Sequence, residues 1–286
     1  MKQNKKYYRA FSEVEREFPF KGYLGSICYH EVKAILDALE LFLPEFDDLK
    51  LLDVGSGPMD KTAVFQKMGF ECSAVDDLGD PWHQLDGKSE AIVDFGRRMG
   101  IDFYLQNEKD YTIPFDCNYF DVVTSLSVIE HLHVTPRLIL NAMGEHLKFG
   151  GYLVVVMPNS VNLRKRISVL MGRTNYPPID DLFYSLGSYR GHVREYTLAE
   201  TKYICEAAGF QVVHADTFEH IAYGNLPRGL REIYLLAGKI IRGFRSGIIV
   251  IVQKPQDWKP LEEDSDRYFR SISKFSWSKN ILEQPE

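Results

Sequence analysis

The stretch Leu51-Leu52-Asp53-Val54-Gly55-Ser56-Gly57-Pro58 decides the fold of this chain. Residues 49–54 are apolar apart from Lys50 and Asp53, and two glycines end the run. A more polar, helix-compatible stretch follows from Met59 to Met68. This order predicts a strand, a tight turn and a helix, because glycine adopts backbone angles that are closed to other residues. The free amides of the helix's first turn then face whatever binds at the turn.

Two acidic positions give this turn a chemical meaning. A second short strand, Glu71–Val75, ends in Asp76 and Asp77, and Asp76 follows Gly57 by 19 residues. In doubly wound folds an acidic residue about 20 residues on accepts hydrogen bonds from ribose hydroxyls. Asp53 is the second position, since a carboxylate within an apolar strand has to be paired or hydrogen-bonded. The sequence therefore predicts a nucleoside site at the strand ends.

These residues resemble the class I S-adenosylmethionine-dependent methyltransferases, whose first motif is an apolar strand followed by Asp-x-Gly-x-Gly. The later landmarks of that family match in order at Ile113–Phe115, Tyr119–Val123, Val128–Leu132, Leu147–Leu153 and Met157–Asn159. The resemblance covers residues 49–159 well and residues 191–210 more loosely. It implies an α/β fold with a doubly wound, seven-stranded, mostly parallel sheet, the Rossmann-like methyltransferase fold, with an inserted cap after strand 5.

The resemblance also implies S-adenosyl-L-methionine as the cofactor. It places cofactor binding at the first turn and at the strand ends, and the candidate residues are Asp53, Gly55, Ser56, Gly57, Asp76, Asp77, Asp110 and Ser125. The family usually has a residue that contacts adenine after the third strand. Both Asp110 and Glu108 fit that position, and a solvated loop is the alternative for them.

Catalytic candidates follow the fourth predicted strand, Phe120–Leu126, whose carboxyl end lies where an open α/β sheet binds ligands. His131 is the first candidate for a general base toward an acceptor hydroxyl, and His192 is the second. The carboxylate of Glu130 is available to orient either imidazole. For His131 the alternative is a purely structural role in positioning a loop. No His, Asp or Glu cluster has metal-ligand spacing, so no metal site is predicted.

The regular alternation of strands and helices ends after Asn159. We predict an N-terminal helical cap over residues 1–48, a methyltransferase domain over 49–255 with an insertion at 160–196, and a C-terminal extension over 256–286. The N-terminal helices either cover the cofactor cleft or shield one sheet face. The insertion is assigned to acceptor recognition, because its cations and tyrosines suit a phosphate, carboxylate or sugar.

Residues 226–245 form a basic amphipathic pattern between the last two strands. Such a helix either covers a sheet or lies on an anionic membrane or a partner, and the sheet-covering interpretation is preferred here. A further helix is predicted at Lys88–Met99. The third and the last three strands are predicted at Ile101–Leu105, Tyr152–Met157, Gln211–Asp216 and Gly247–Gln253.

The composition of the 286-residue chain limits the partners and the cellular compartment that we expect for it. The net charge of −6 argues against a general nucleic-acid binder. Four scattered cysteines without a Cys-x-x-Cys pair indicate reduced thiols, and neither a signal peptide nor a membrane-spanning run is visible. We expect a cytoplasmic protein, with peripheral contact at the inner membrane face through residues 226–245 as the extension of that expectation.

The predicted activity is methyl transfer to a small-molecule or glycan/glycolipid acceptor, at oxygen. The pattern Gly-His-x-Arg-Glu-Tyr-Thr at 191–197 resembles methyltransferases of surface-polysaccharide or glycolipid assembly, and a quinone-like acceptor is the alternative. Two other functions stay open. One is a non-catalytic nucleoside-binding or scaffolding protein; the other is an NAD(P)-dependent oxidoreductase, which needs a third glycine where this chain has Asp60.

Overall fold

A seven-stranded sheet with the order β3-β2-β1-β4-β5-β7-β6 forms the centre of the computed structural model, which describes residues 2–106, 112–224 and 226–272. Strand β7 runs antiparallel to both β5 and β6, and the other neighbouring pairs are parallel. The doubly wound, mostly parallel fold is thereby confirmed. The strands are β1 (Lys50–Val54), β2 (Glu71–Asp76), β3 (Asp102–Leu105), β4 (Phe120–Leu126), β5 (Leu147–Pro158), β6 (Gln211–Phe218) and β7 (Gly247–Gln253).

Helices cover both faces of this sheet, so β1 and β4 are apolar on consecutive residues. Leu51 and Val122 face a core built with the first four helices, whereas Leu52 and Val123 face a second core built with α5 and α8. This alternation follows from the two-residue period of a strand. The helices are α1 (Lys2–Glu17), α2 (Ser26–Leu39), α3 (Asp60–Met68), α4 (Lys88–Met99), α5 (Arg137–His146), α6 (Leu163–Leu170), α7 (Ile179–Phe183), α8 (Leu198–Ala207), α9 (Arg228–Ile240) and α10 (Ser265–Ile272).

Strand β5 is longer than its sequence prediction. It begins directly after α5, and Gly150 lies within it at a φ of +80°. The pairing of β4 with β5 shifts register between Phe120 and Val122. Because the backbone amide of Gly150 donates to the carbonyl of Lys254, the irregular first part of β5 stays paired after β7 has ended.

The N-terminal helices pack on the sheet as part of its first core. Val14 of α1 and Val32 and Ile35 of α2 are fully buried there, together with Phe65 of α3. One of the two interpretations of residues 1–48, shielding of a sheet face, therefore describes these helices. The other interpretation placed these helices over the cofactor cleft; of the two helices, α2 reaches a cavity at Glu31, as described below.

Helix α9 contradicts the preferred sheet-covering interpretation of residues 226–245. Leu230, Ile233, Leu236 and Ile240 are between 57% and 74% exposed. Both sheet faces are already covered by other helices, so the apolar stripe of α9 has no sheet to pack on. Among the described residues, no helix has the length and apolar character needed to cross a membrane.

The C-terminal extension docks where it begins. Trp258 is buried, stacks on Phe210 at 5.6 Å between ring centroids, and donates its indole N–H to the carbonyl of Ala208 at 2.9 Å. Farther along, the guanidinium of Arg137 donates to the carboxylate of Glu263 at 2.7 Å. The extension is thus fixed to α5 and to the end of α8 up to that point.

Candidate active site

The turn after β1 lies at the edge of a cavity of about 500 Å³. Gly55 and Gly57 have φ values of +74° and +54°, which favour glycine. A Cβ on Gly55 would lie 2.5 Å from Cγ2 of Val128, so this glycine is required by close packing as well as by its angle. A Cβ on Gly57 would have Cε1 of His83 as its nearest neighbour, at 3.9 Å, and the backbone there is open toward the cavity.

Asp53 lies behind this turn and does not line the cavity. Its buried carboxylate accepts hydrogen bonds from the hydroxyls of Thr62 at 2.5 Å and Thr124 at 2.7 Å. Burial raises the pKa of Asp53, and the two hydroxyl donors act in the opposite direction. The geometry therefore gives Asp53 a positioning role between β1, β4 and α3, rather than the direct cofactor contact suggested by the sequence.

Asp76 lines the cavity at the end of β2. Its carboxylate accepts hydrogen bonds from the backbone amides of Gly57 at 2.7 Å and Leu78 at 2.6 Å. Burial raises the pKa of Asp76 to about 6, against the lowering effect of both amides. Both oxygens keep a second lone pair that is available to ribose hydroxyls.

Several buried polar atoms near the turn have no protein partner among the described residues. They are the hydroxyl oxygens of Ser56 and Ser125, and both ring nitrogens of His83. A buried polar group without a partner costs free energy, so the two nitrogens of His83 mark a place where a bound molecule would supply the missing bonds. His83 lines the large cavity and was missed by the sequence analysis, because a single histidine in the polar loop after β2 carries no spacing signal.

The other sequence candidates divide by position. Asp77 lines the large cavity, Ser125 is fully buried in β4 without lining it, and Asp110 lies outside the described residues, as does Glu108. Of the two serines at the end of β4, Ser127 lines the cavity and Ser125 does not. The φ of Ser127, +61°, turns the chain sharply after β4, and the residues from Ser127 to His131 contribute to two cavities.

The insertion closes one side of the large cavity. The guanidinium of Arg190 donates to the carboxylate of Asp77 at 2.9 Å. Nδ1 of His131 lies 2.6 Å from the backbone carbonyl of Arg190, and Nε2 of His133 lies 2.7 Å from that of Tyr189. A carbonyl only accepts, so Nδ1 of His131 carries the proton and its Nε2 is left as the basic nitrogen.

A second cavity of about 220 Å³ adjoins the first at Ser127. Six segments contribute to it, namely α2, the residues after β4, the end of β5, the start of α6, the C-terminal end of the insertion and the segment between β6 and β7. Glu31 of α2 therefore lines a cavity while its neighbours shield the sheet. The lining polar residues are Glu31, Ser127, Glu130, Asn162, Arg164, Lys165, His192, Glu195, His220 and Ser246.

His192 forms a hydrogen-bonded pair that the sequence analysis did not foresee. Its Nδ1 lies 2.7 Å from Oε1 of Glu195, and the other oxygen of that carboxylate contacts the ammonium of Lys165. Since a carboxylate paired with a lysine accepts the hydrogen bond, Nε2 of His192 is the free basic nitrogen. Burial, with His131 and Lys165 nearby, lowers the pKa of His192 to about 4, so the imidazole is neutral at pH 7. Glu195, and not Glu130, orients this histidine.

Glu130 is the most unusual ionisable group in the site. It is fully buried, and neither carboxyl oxygen has a partner among the described residues. Burial raises its pKa to about 8, so this side chain is largely protonated at pH 7. Its backbone carbonyl accepts from the amides of Val193 and Arg194, which fixes the end of the insertion beside it.

His192 lies beside Glu130 and His131 although it is far from them in sequence. Each residue has one atom that could bind a metal ion, a carboxyl oxygen or a ring nitrogen, and these three atoms lie within 4.8 Å of one another. The imidazole centroids are 4.8 Å apart and the ring planes are almost perpendicular, at 84°. Spacing along the sequence does not reveal this cluster, because His192 comes from the insertion, about 60 residues after the other two.

The comparison with family models identifies the family. The family model described as a methyltransferase domain matches residues 29–215, which is more than half of the chain. The chain belongs to this methyltransferase family. The class I assignment and the S-adenosylmethionine cofactor predicted from the first motif are thus confirmed. The glycine turn, the acid at the end of β2 and the unpartnered polar atoms of the large cavity fit that cofactor.

Curated relatives are more distant. Ubiquinone biosynthesis O-methyltransferase of Rickettsia typhi is 26% identical over 168 residues, covering 57% of this chain and 63% of the relative. The same-named protein of Rickettsia felis is 27% identical over 150 residues, covering 52% of this chain and 56% of the relative. The methyltransferase chain thus spans less than two thirds of the length of these relatives. Among solved structures, the PH0226 protein of Pyrococcus horikoshii shares the fold, with a TM-score of 0.52, 14% identity and coverage of 87% and 98% of the two chains.

The first prediction concerns the acid at the end of β2. Asp76→Ala removes a charged acceptor beside the glycine turn, and each such bond contributes roughly 1.5–3 kcal/mol. We expect affinity for S-adenosylhomocysteine to fall by about ten- to a hundredfold in calorimetric titration. Asp37→Ala, on an exposed part of α2, is the matched control and keeps wild-type affinity. Unchanged affinity of a folded Asp76→Ala protein removes this residue from the cofactor site.

The second prediction concerns Glu130. Its pKa of about 8 in the folded state exceeds its ordinary value of 4.5, so folding favours the protonated form. The stabilisation is complete below pH 4.5 and is lost as the pH rises through 8, at about 1.4 kcal/mol per pH unit between these limits. Urea unfolding of wild type and Glu130→Gln at several pH values measures this loss. The variant is expected to lack it, and parallel pH curves contradict the assignment.

Proposed function

We propose that this methyltransferase transfers the methyl group of S-adenosylmethionine to a hydroxyl oxygen of a small-molecule acceptor held in the second cavity. The observation that carries the proposal is the His192–Glu195 pair, which faces that cavity with a free imidazole nitrogen. A hydroxyl acceptor gains from a positioned base, because its oxygen becomes a strong nucleophile only as the proton is removed, whereas a neutral amine is nucleophilic without a base.

The large cavity suits the cofactor. Gly55, Gly57 and Asp76 would hold its nucleoside part, and His83 offers two unpartnered ring nitrogens to it. When bound, the cofactor supplies an activated methyl group on a sulfonium. The chain itself contributes mainly orientation, which is worth on the order of 7–11 kcal/mol for well-placed reactants.

In the second cavity, Glu195 accepts the Nδ1 proton of His192 and so directs the free Nε2 toward a substrate proton. His131 is a second base, because its Nδ1 donates to the carbonyl of Arg190. Protonated Glu130 is a hydrogen-bond donor toward the acceptor oxygen, since its neutral carboxyl has an O–H and no protein partner among the described residues. The contact with the carbonyl of Arg190 also fixes the loop that carries His131, so a role in positioning this loop is compatible with a role as a base.

Two acceptor classes remain for this site. A weak base with a pKa near 4 takes a proton more readily from a phenol, with a pKa near 10, than from a sugar alcohol. The names of the curated relatives also favour a phenolic quinone precursor. The cations Arg164 and Lys165 in the cavity wall favour the glycan or glycolipid acceptor suggested by the 191–197 pattern. We place the phenolic acceptor first, with the protein at the inner face of a membrane as the setting.

The proposal is tested by incubating the purified protein with methyl-labelled S-adenosylmethionine and two acceptor panels. One panel contains alkylated catechols of increasing chain length, and the other contains glycans and glycolipids. We expect label in an O-methyl ether of the first panel. Label confined to the second panel reverses the choice of acceptor, and saturable S-adenosylhomocysteine binding without transfer to either panel supports the non-catalytic binding protein instead.

The third prediction distinguishes a role of His192 as the general base from a role in cofactor binding. His192→Asn removes the basic nitrogen and is expected to lower kcat by about 10²–10⁴-fold, with affinity for S-adenosylhomocysteine unchanged. Glu195→Gln keeps the side-chain shape but loses the charge that orients the imidazole, so a smaller loss in kcat and a shifted acid limb of the pH profile are expected. His214→Asn in β6, outside both cavities, is the control. Full activity of His192→Asn would show that His131 is the base.

A further inference from the structure

An exposed apolar surface runs across helices α6 and α9, and we call it the α6–α9 face. It consists of Ile167, Leu170, Met171, Leu230, Ile233, Leu236 and Ile240, each at least 46% exposed. Single exposed apolar side chains are ordinary, but a cluster from two helices marks an interaction surface. On α9 the four apolar residues follow helical spacing and therefore form one stripe along the helix.

The two helices belong to one surface because the turn at residues 242–244 joins them. The hydroxyl of Tyr234 in α9 donates to the carbonyl of Phe244 at 3.4 Å. The guanidinium of Arg166 in α6 lies over the ring of Phe244, 5.6 Å from its centroid. Arg164 of α6 also contacts Tyr234 through its backbone. The insertion and the segment before β7 are thus in direct contact, although about 70 residues separate them.

The charge of the chain is strongly divided between this region and the rest. Residues 160–196 and 226–245 together contain 11 Lys and Arg against 4 Asp and Glu, a net charge of +7. The remaining residues contain 23 Lys and Arg against 36 Asp and Glu, a net charge of −13. The overall value of −6 conceals this division. Helices α6 and α9 themselves contain six cations and one acid, so an anionic surface would attract the α6–α9 face. These residues are Arg164, Lys165, Arg166, Arg228, Arg231 and Lys239, with Glu232 as the acid.

The residue types on the α6–α9 face distinguish between three possible occupants: another protein, a second copy of the chain and a membrane. Cores of protein interfaces are enriched in aromatic residues and depleted in lysine, whereas this stripe is Leu and Ile with Lys239 beside it. A second copy of the chain in a two-fold dimer would bring two regions of +7 together, which is unfavourable. Aliphatic side chains with cations at their edge are the pattern of helices that lie in the headgroup region of a bilayer.

We propose that the α6–α9 face docks on the surface of a membrane containing anionic lipids. Arg164 and Lys165 at the start of α6 line the second cavity, and Leu170 and Met171 at its other end lie on the face. Docking therefore brings that cavity within the length of one short helix, α6, of the lipid surface. If the proposed function holds, an acceptor with a polar head and a lipid tail reaches the site from the bilayer, but the docking itself needs no turnover.

The test is flotation of the full-length protein with vesicles of phosphatidylcholine alone or of equal parts phosphatidylcholine and phosphatidylglycerol. We expect binding to the mixed vesicles that weakens as salt is raised, and little binding to the neutral ones. Replacing both Ile233 and Ile240 by Asn is expected to lower vesicle affinity by at least about tenfold, because burying one such side chain contributes about 1.5 kcal/mol or more. Lys239→Glu is expected to weaken binding to anionic vesicles only.

The controls are Leu41→Asn and Lys21→Glu, which change an exposed apolar and an exposed basic residue outside the face. Retained S-adenosylhomocysteine binding shows that each variant is folded and keeps a failure of docking distinct from a failure of the cofactor site. Absent flotation, equal binding to both vesicle types, or variants equal to wild type overturn the proposal. So does a wild-type dimer, seen by light scattering, that the Ile233 and Ile240 changes convert to monomers without any vesicle binding.

Discussion

The site depends on the hydrogen bonds made by the buried carboxylate of Asp53. It joins a hydroxyl from α3 to a hydroxyl from β4, so three elements meet at one charged group directly before the glycine turn. A carboxylate in this position is unfavourable to bury, and the two hydroxyl bonds offset that cost. Their geometry fixes how β1, β4 and α3 approach one another. The same spacing sets two further contacts. Gly55 packs closely against Val128, and the backbone amide of Gly57 donates a hydrogen bond to the carboxylate of Asp76.

The second cavity is assembled on this frame by backbone groups. Amides of residues 193 and 194 donate to the carbonyl of Glu130, and carbonyls of residues 189 and 190 accept from His133 and His131. Main-chain bonds of this kind do not depend on which side chains the insertion carries. The insertion can therefore vary its acceptor-contacting residues while its attachment to the end of β4 stays the same.

The sequence predicted what depends on local pattern. Strands β4 and β7 and helix α4 were predicted with the observed bounds, since apolar runs and glycine ends define them. Where contacts are distant in sequence, prediction failed for physical reasons. Glu195 was missed as the partner of His192, because a Glu three residues after a His is common in sequences and does not by itself indicate a hydrogen bond between the two side chains. The preferred sheet-covering interpretation of α9 was wrong because periodicity shows that a helix has an apolar face but not which surface covers it. The role of Asp53 could be argued from burial alone, yet its threonine partners could not.

The two cavities are mechanically linked through a few residues of the insertion. Arg190 binds Asp77 at the large cavity, and five residues later Glu195 binds His192 and Lys165 at the small one. Between these two contacts, the amides of Val193 and Arg194 donate to the backbone carbonyl of Glu130, so the segment is also attached at its middle. One short stretch thus supplies an ion pair at the large cavity and the partner of His192 at the second cavity, and its attachment to Glu130 holds both contacts in place.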